Sequence, residues 1–450
     1  MSGQIKWYEE LSWIGEYRFP IQRRNQSYTA LMTEWVHDYC THIDACKSLD
    51  DETKRKIKTF ANSLVECHTR YLNSQFADAY TLFNQSMNDV QGSLLSVDFG
   101  MQNGFTNEGV GHYFRIRKGD KTRSYLEMLH IPLSSRRYAT TGRFSAPGMP
   151  CSYLASTVEI CWYECEMPRI FQLADYKVKG ATEDKKKLLR LDINPLFVKH
   201  DLPLLYRRND ISDDQMKCFA EQLFFILPLL AMCSVTARKN DGDFTEEYVI
   251  PQMLMAWLRS NSTFIGVRYY SDSSNALARN NRGHNVAIPV RDENNAGYSS
   301  EICSLFEFSE DAKSKTVDMA NVLQRKFSKE IAKLELFLEE VTYEKQHFNS
   351  LDPTLSSATV AVYSDYCSIC ESLLSLLSDY SDNKEQSCYA IVLTLAEMFN
   401  WGNLLKEHVS NQSGMFDERA NEYATRFNDE ILGLMDSICS FFRLSITWGI

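Results

Sequence analysis

The chain reads as an α+β protein, with a central domain built round a mixed or antiparallel sheet and helical regions on either side of it. Three features of the sequence carry this. The first hundred residues repeat apolar side chains at helical spacing, the composition turns to glycine, tyrosine and short apolar runs after Gly100, and long helical periodicity returns past Glu310. These shifts divide the 450 residues into a helical region 1–104, a central domain 105–309 and a helical bundle 310–450. With 44% hydrophobic residues, the chain can bury a substantial core and is not expected to be disordered.

Residues 1–25 mix aromatics with Gly15 and Pro20 and predict an irregular start. From Tyr28 the pattern is helical, with Leu31, Trp35, Tyr39 and His42 on one face. Ser48, Leu49, Asp50, Asp51 and Glu52 then provide a break and an acidic helix start, after which Ile57, Phe60, Leu64 and Cys67 repeat at helical intervals. Phe76, Tyr80, Phe83 and Met87 predict a third, shorter helix.

In the central region Arg115 and Arg117 alternate with Ile116, so a strand here sets both guanidinium groups on one side and the isoleucine on the other. Gly142-Arg143-Phe144-Ser145-Ala146-Pro147-Gly148 places an arginine in a turn where backbone can approach a ligand closely. Residues 151–155 predict a strand. Ser156 or Thr157 caps a following helix that carries Trp162, Tyr163 and Glu164 and ends before Pro168. Further strands are predicted at 188–193, 264–270 and 286–290, and helices at 216–235 and 248–258, the last with Pro251 in its first turn. The apolar run 223–235 is too short to cross a bilayer and reads as a buried helix. Beyond it, Leu323, Phe327, Ile331, Leu334, Leu338 and Val341 predict a long amphipathic helix over 317–348, followed by helices at 358–377, 385–408 and 416–442. A four-helix bundle or hairpin array buries these stripes and offers a surface for homo-oligomer formation.

The formal net charge of -11 argues against a broad nucleic-acid footprint while leaving room for a local basic cleft. Lys185, Lys186 and Lys187 fit a solvated loop. The thirteen cysteines are scattered and odd in number, and the first residues lack a secretory apolar run, so reduced thiols and a cytoplasmic location are expected, with no membrane partner. Cys367 and Cys370 form a CxxC without a second pair, and Cys161 and Cys165 sit one helical turn apart; neither predicts a metal site. His112, His130 and His284 are isolated, and there is no phosphate loop, GxGxxG or HExxH to support a Rossmann dehydrogenase or a zinc hydrolase.

Residues 113–168 and the segments after Gly266 resemble the RES domain, a family named for an arginine, a glutamate and a serine and related in fold to ADP-ribosyltransferase toxins. The aromatic-arginine strand falls on Phe114-Arg115, the Gly-Arg turn on 142–148, the tyrosine strand on Tyr153 and the inward glutamate on Glu164. Gly266-Val267-Arg268-Tyr269-Tyr270-Ser271 matches the Gly-x-x-Tyr element before the serine, with Ser273 and Ser274 as rivals, and Asn285 looks like the polar residue opening the closing strand. Two positions depart from the pattern: Ile116 stands where many members have tyrosine, and Phe144-Ser145 where Trp-Asn is commoner.

The resemblance implies that NAD is the substrate, with no cofactor and no metal, and that its nicotinamide-ribose bond is cut. Nicotinamide leaves a cationic pyridinium as a neutral molecule, so one carboxylate serves where ordinary glycosidases use two. By this resemblance Glu164 stabilises charge on the ribose, Arg115 and Arg143 hold the pyrophosphate through paired hydrogen bonds, Tyr153 meets the nicotinamide-ribose portion, and Ser271 holds the nicotinamide side or a ribose hydroxyl. Water, phosphate and a protein side chain all remain open as acceptors, giving hydrolysis, phosphorolysis or protein ADP-ribosylation. Such an activity is expected of a toxin or defence effector held in check by an inhibitory protein partner. The alternative is a non-enzymatic binding or scaffold protein that keeps the RES fold.

Overall fold

A computed structural model describes residues 7–23, 26–101, 109–179, 186–208, 210–237, 244–270, 283–309 and 311–319, together with residues 321, 332, 336, 339, 343 and 371. Residue 371 apart, the predicted helices at 358–377, 385–408 and 416–442 lie outside the described residues, as do most of 317–348, the Cys367/Cys370 pair and Ser271, Ser273 and Ser274.

The N-terminal helices start where the sequence supplies caps. Ser27 accepts from the Ala30 amide at the head of α1 (Tyr28–Ala45), and Asp50 accepts from Thr53 at the head of α2 (Asp51–Leu72), where Asp51 and Glu52 complement the positive end of the helix. A third helix, α3 (Phe76–Val90), follows. Residues 7–16 are more regular than the composition suggests: helical turns at Trp7–Glu10 and Ser12–Glu16 bury Leu11 and Ile14.

Among the described residues nine strands form one mixed sheet: β1 (Ser96–Asp98), β2 (His112–Lys118), β3 (Cys151–Ala155), β4 (Ile170–Val178), β5 (Lys187–Leu191), β6 (Phe264–Tyr269), β7 (Asn285–Pro289), β8 (Phe306–Glu307) and β9 (Lys315–Asp318). Their order is β1-β5-β6-β7-β3-β2-β4-β8, with β9 also on β4; β5–β6 is parallel and the other pairs are antiparallel. The connections supply α4 (Tyr125–Leu129), α5 (Val158–Glu164), α6 (Asp213–Cys233) and α7 (Val249–Ser260). This is the α+β class that the sequence predicts.

The sheet has two differently covered faces. Leu189, Leu191, Val267 and Ala287 share one buried cluster with α6, α7 and the N-terminal helices, and this is the helical face. Tyr28 and Tyr39 tie α1 to it by donating to the Met232 and Phe224 carbonyls of α6. On the opposite face Tyr113, Leu154, Tyr176, Val286 and Ile288 pack with Met128 and Leu129 of α4. Among the described residues α6 alone is long and apolar enough to cross a membrane, but 78% of its most apolar stretch is buried in the core, as suits a central helix that is apolar all round.

Several elements differ from the sequence reading, among them β1, α4 and β8, short elements for which it makes no prediction. β4 was not foreseen, although it bridges β2 on one side and β8 and β9 on the other. Lys315–Asp318, assigned in part to the start of the long amphipathic helix, is a strand: pairing with β4 satisfies its backbone groups and buries Val317.

Candidate functional site

Cross-strand partners lie on one face of a sheet, and the pairs Phe114–Ala155, Ala155–Asn285 and Asn285–Tyr269 define a row across four strands on the helical face. Asn285 is only 3% exposed, and its Nδ2 donates to Glu164 Oε1 at 2.9 Å. Glu164 itself is exposed at the end of α5. Its position follows from local chemistry. Thr157 accepts from the Ile160 amide and starts the helix, while the Ser156 hydroxyl is used differently, accepting from the His284 amide as Ser156 N–H donates back to His284 O. The cap left open between these two residues is therefore Thr157, and Ser156 clasps the start of β7.

The helix is stopped by Glu166 and Met167 at φ of 61° and 49°, and Trp162 Nε1 donates to the Pro168 carbonyl to hold the reversal. β2 and β3 share a single register pair, so β2 carbonyls facing β3 need other partners. Cys161 Sγ donates to Phe114 O at 2.9 Å and Cys165 Sγ approaches Ile116 O at 3.7 Å, which explains their one-turn spacing without a metal.

The Gly-Arg turn closes on itself, with Gly142 and Ser145 exchanging backbone hydrogen bonds of 2.9 and 3.2 Å. A Cβ on Gly142 would lie 2.9 Å from Ser145 Oγ and 3.3 Å from Tyr153 Oη, so any larger residue would have to push the Ser145 hydroxyl aside. Phe144 is buried against the Tyr269 ring at 4.6 Å, connecting the turn to the Asn285 row. Arg143 Nη1 donates to Cys233 O at 2.7 Å and Val235 O at 3.0 Å, and the guanidinium lies 5.4 Å from the centre of the Tyr248 ring. It thus caps the negative end of α6. Tyr153 stands on the same face, its hydroxyl buried beside Gly142 and Ser145 without a well-formed hydrogen bond; burial pushes this phenol well above the ordinary tyrosine range.

Arg115 is placed differently. Alternation along β2 sets it with Tyr113 on the opposite face, where its Nη1 donates to Leu129 O at 2.7 Å and to Tyr153 O at 3.2 Å. Burial pulls its pKa below the ordinary arginine value. The sequence reading grouped Arg115 with Arg143 and Glu164; the structure brings Glu164, Asn285, Tyr153 and the Arg143 turn to one face and leaves the Arg115 guanidinium on the other. The reason is the register, which couples Phe114, not Arg115, to the Ala155–Asn285 row. Asn285 as a direct partner of the glutamate was missed; its signal was a polar residue at the head of a strand that is otherwise apolar.

The isolated histidines have structural partners. His112 Nδ1 lies 2.6 Å from Asp175, His130 accepts from the Ser299 amide, and His284 is 3.0 Å from the Tyr113 hydroxyl. His284 also neighbours a buried network in which Asp192 pairs with Arg268 at 2.8 Å and with Arg190 at 3.3 Å. Burial, with Arg268 adding to it, pushes the His284 imidazole down to about 3. Burial alone would raise Asp192, but Arg268 and Arg190 outweigh it and hold the carboxyl at about 2. An open groove lined by Asp44, Lys54, Lys58, Glu66 and Arg70 on the N-terminal helices shares no residue with the Glu164 site, and its charges are paired as Lys58–Asp44 and Arg70–Glu66.

No protein-family profile matches the chain, and no solved structure matches it. It is 28% identical over 269 residues to a protein of Bacillus subtilis (strain 168) named "Putative toxin YopC". The match spans 59% of this chain and 60% of the length of that relative.

Proposed function

We propose that this protein is a toxin of the RES kind, with an ADP-ribosyltransferase-like sheet, which consumes NAD by cleaving the nicotinamide-ribose bond. The observation that carries the reading is the Asn285–Glu164 hydrogen bond: a solvent-facing carboxylate held in place by a buried amide. The order of the residue pattern along β2, the Gly-Arg turn, β3, α5 and β7, and the likeness to a protein named as a toxin, support it further.

In the proposed reaction the bond between ribose C1′ and the pyridinium nitrogen breaks, and its electron pair stays on nitrogen, so nicotinamide leaves neutral. Positive charge develops on the ribose. The Glu164 carboxylate stabilises that charge, and Asn285 holds one of its oxygens so that little reorganisation is needed as charge appears. Water adds to C1′ and gives up a proton, leaving ADP-ribose. Tyr153, neutral at physiological pH, offers a hydroxyl or ring contact to the ligand. Arg143 contributes a fixed positive charge from the α6 terminus, and Arg115 braces the Tyr153 strand from behind. Ser271 keeps its proposed place on the nicotinamide side or a ribose hydroxyl.

Hydrolysis is preferred because it needs no second binding site; phosphate or a protein side chain as acceptor shares the same bond breaking. An inhibitory partner restrains the enzyme in this reading, NAD is substrate rather than cofactor, and the protein works in the cytoplasm. One observation favours the non-enzymatic alternative: Ile116, at the position where many RES members carry tyrosine, is buried, 5% exposed, on the Glu164 face. Nicotinamide release by wild type and Glu164→Ala, with and without inorganic phosphate, separates these readings. Relief of toxicity on expression by Glu164→Ala is an independent indication.

A further inference from the structure

The face opposite Glu164 carries positive charge that the proposed reaction does not use. Arg115 and Arg117 share one face of β2, and Arg123 is held beside them by exchanging hydrogen bonds with Ser314, whose hydroxyl donates to Gln172 directly across from Arg117. Arg115 has two carbonyl acceptors, but Arg117 and Arg123 do not: the Nε of each is shut off from solvent and has no hydrogen-bond partner. Both side chains remain partly exposed overall, so solvent reaches the cluster.

The neighbouring polar groups are already committed. Gln172, directly across from Arg117 on β4, accepts from Ser314 through Oε1 and donates to Thr316 through Nε2. The Tyr176 hydroxyl donates to Tyr125 O. Glu127 feels Arg123, but its carboxylate accepts from the Ser124 amide in the capping box of α4 and is exposed. Among the described residues none of the three arginines forms an ion pair with a carboxylate. Buried donors without acceptors are rare in native folds, and a planar guanidinium fork matches the oxygens of a tetrahedral anion.

We propose that Arg117 and Arg123, backed by Arg115, form a binding site for one phosphate group, carried either by inorganic phosphate or by a nucleotide. The site is on the far side of the sheet from Glu164 and does not depend on NAD cleavage. Burial, with Arg115 and Arg123 adding like charge, pushes the Arg117 guanidinium down to about 10, so it stays protonated at neutral pH and benefits from an anion.

Calorimetric titration of the full chain with inorganic phosphate and, separately, with ADP tests this, at constant ionic strength set with chloride. Saturable binding of phosphate is expected, weakened about 10- to 100-fold in Arg117→Gln and in Arg123→Gln as charge-assisted bonds are lost. Arg117→Gln should also melt higher than wild type when no anion is present, since it removes a half-buried charge that has no carboxylate partner and faces two other arginines. Binding of ADP but not phosphate, lost in Arg117→Gln and retained in Glu164→Ala, assigns the site to a nucleotide-borne phosphate. If Arg117→Gln does not fold, Arg123→Gln decides. Absence of binding by both probes, or affinities unchanged in the arginine variants, overturns the proposal.

Discussion

Asn285 Nδ2 donates to Glu164 Oε1 at 2.9 Å, joining the first residue of β7 to the last residue of α5. The amide is buried and the carboxylate exposed, so the pair fixes an acid at the mouth of the helical face rather than in its core. In the proposed reaction Asn285→Ala should therefore lower NAD turnover about 10- to 100-fold while leaving the fold intact, because a displaced carboxylate loses the geometry that the reaction needs. In a double-mutant cycle, Asn285→Ala combined with Glu164→Gln should cost little more than Glu164→Gln alone. Additive losses in steady-state rates contradict a shared role.

Arg143 caps α6 through two backbone carbonyls, so its first effect is on stability. Arg143→Ala is expected to cost about 1–3 kcal/mol in a denaturant melt, as carbonyls lose charged donors. Arg143→Lys, which lacks the planar fork, should fall between the two. An alanine variant as stable as wild type would remove the capping role.

Gly266 faces the sheet where no side chain fits. An added Cβ would lie 2.4 Å from the Ala287 carbonyl oxygen, which belongs to backbone and cannot swing away. Gly266→Ala should destabilise the protein by about 1–3 kcal/mol or more by forcing β6 from β7. Calorimetry reads this as a lowered Tm, and an unchanged Tm would show that the strands tolerate the shift.

Three buried histidines, His68, His130 and His284, have their pKa values lowered by burial and contribute a pH dependence. Burial pushes His68 down to about 4 and His284 to about 3, whereas an unfolded histidine titrates near 6.5. Between 6.5 and the folded values the unfolded state binds protons that the folded state refuses, so stability falls as pH drops, by about 1.4 kcal/mol per unit for each histidine. Urea melts at pH 7, 6 and 5 check this. His68→Gln should flatten the profile by about one histidine's share, and a stability independent of pH across this range contradicts the assignment.

Local chemistry made much of this protein legible. The caps at Asp50 and Thr157, the helical spacing of Ile57, Phe60 and Leu64, and the turn at 142–148 all depend on residues near one another in sequence. What escaped was set by pairing at long range. β4 follows directly on the reversal at Pro168, and its run of four buried residues has none of the alternation that marks a strand with one solvated face. Lys315–Asp318 fits a helical stripe as well as a strand until β4 is there to pair with it. The sequence put Arg115 and Arg117 on one side of a strand and Ile116 on the other, as the structure does, but which side meets Glu164 is decided by the Phe114–Ala155 pair.

The most direct measurement is nicotinamide release from NAD by the purified 450-residue chain, stripped of any bound inhibitory protein. Expected is catalytic release by wild type, reduced about 10²- to 10³-fold in Glu164→Gln, the scale on which loss of a preorganised electrostatic partner is felt. NAD left intact by wild type, with Glu164→Gln indistinguishable from it, would contradict the proposed chemistry.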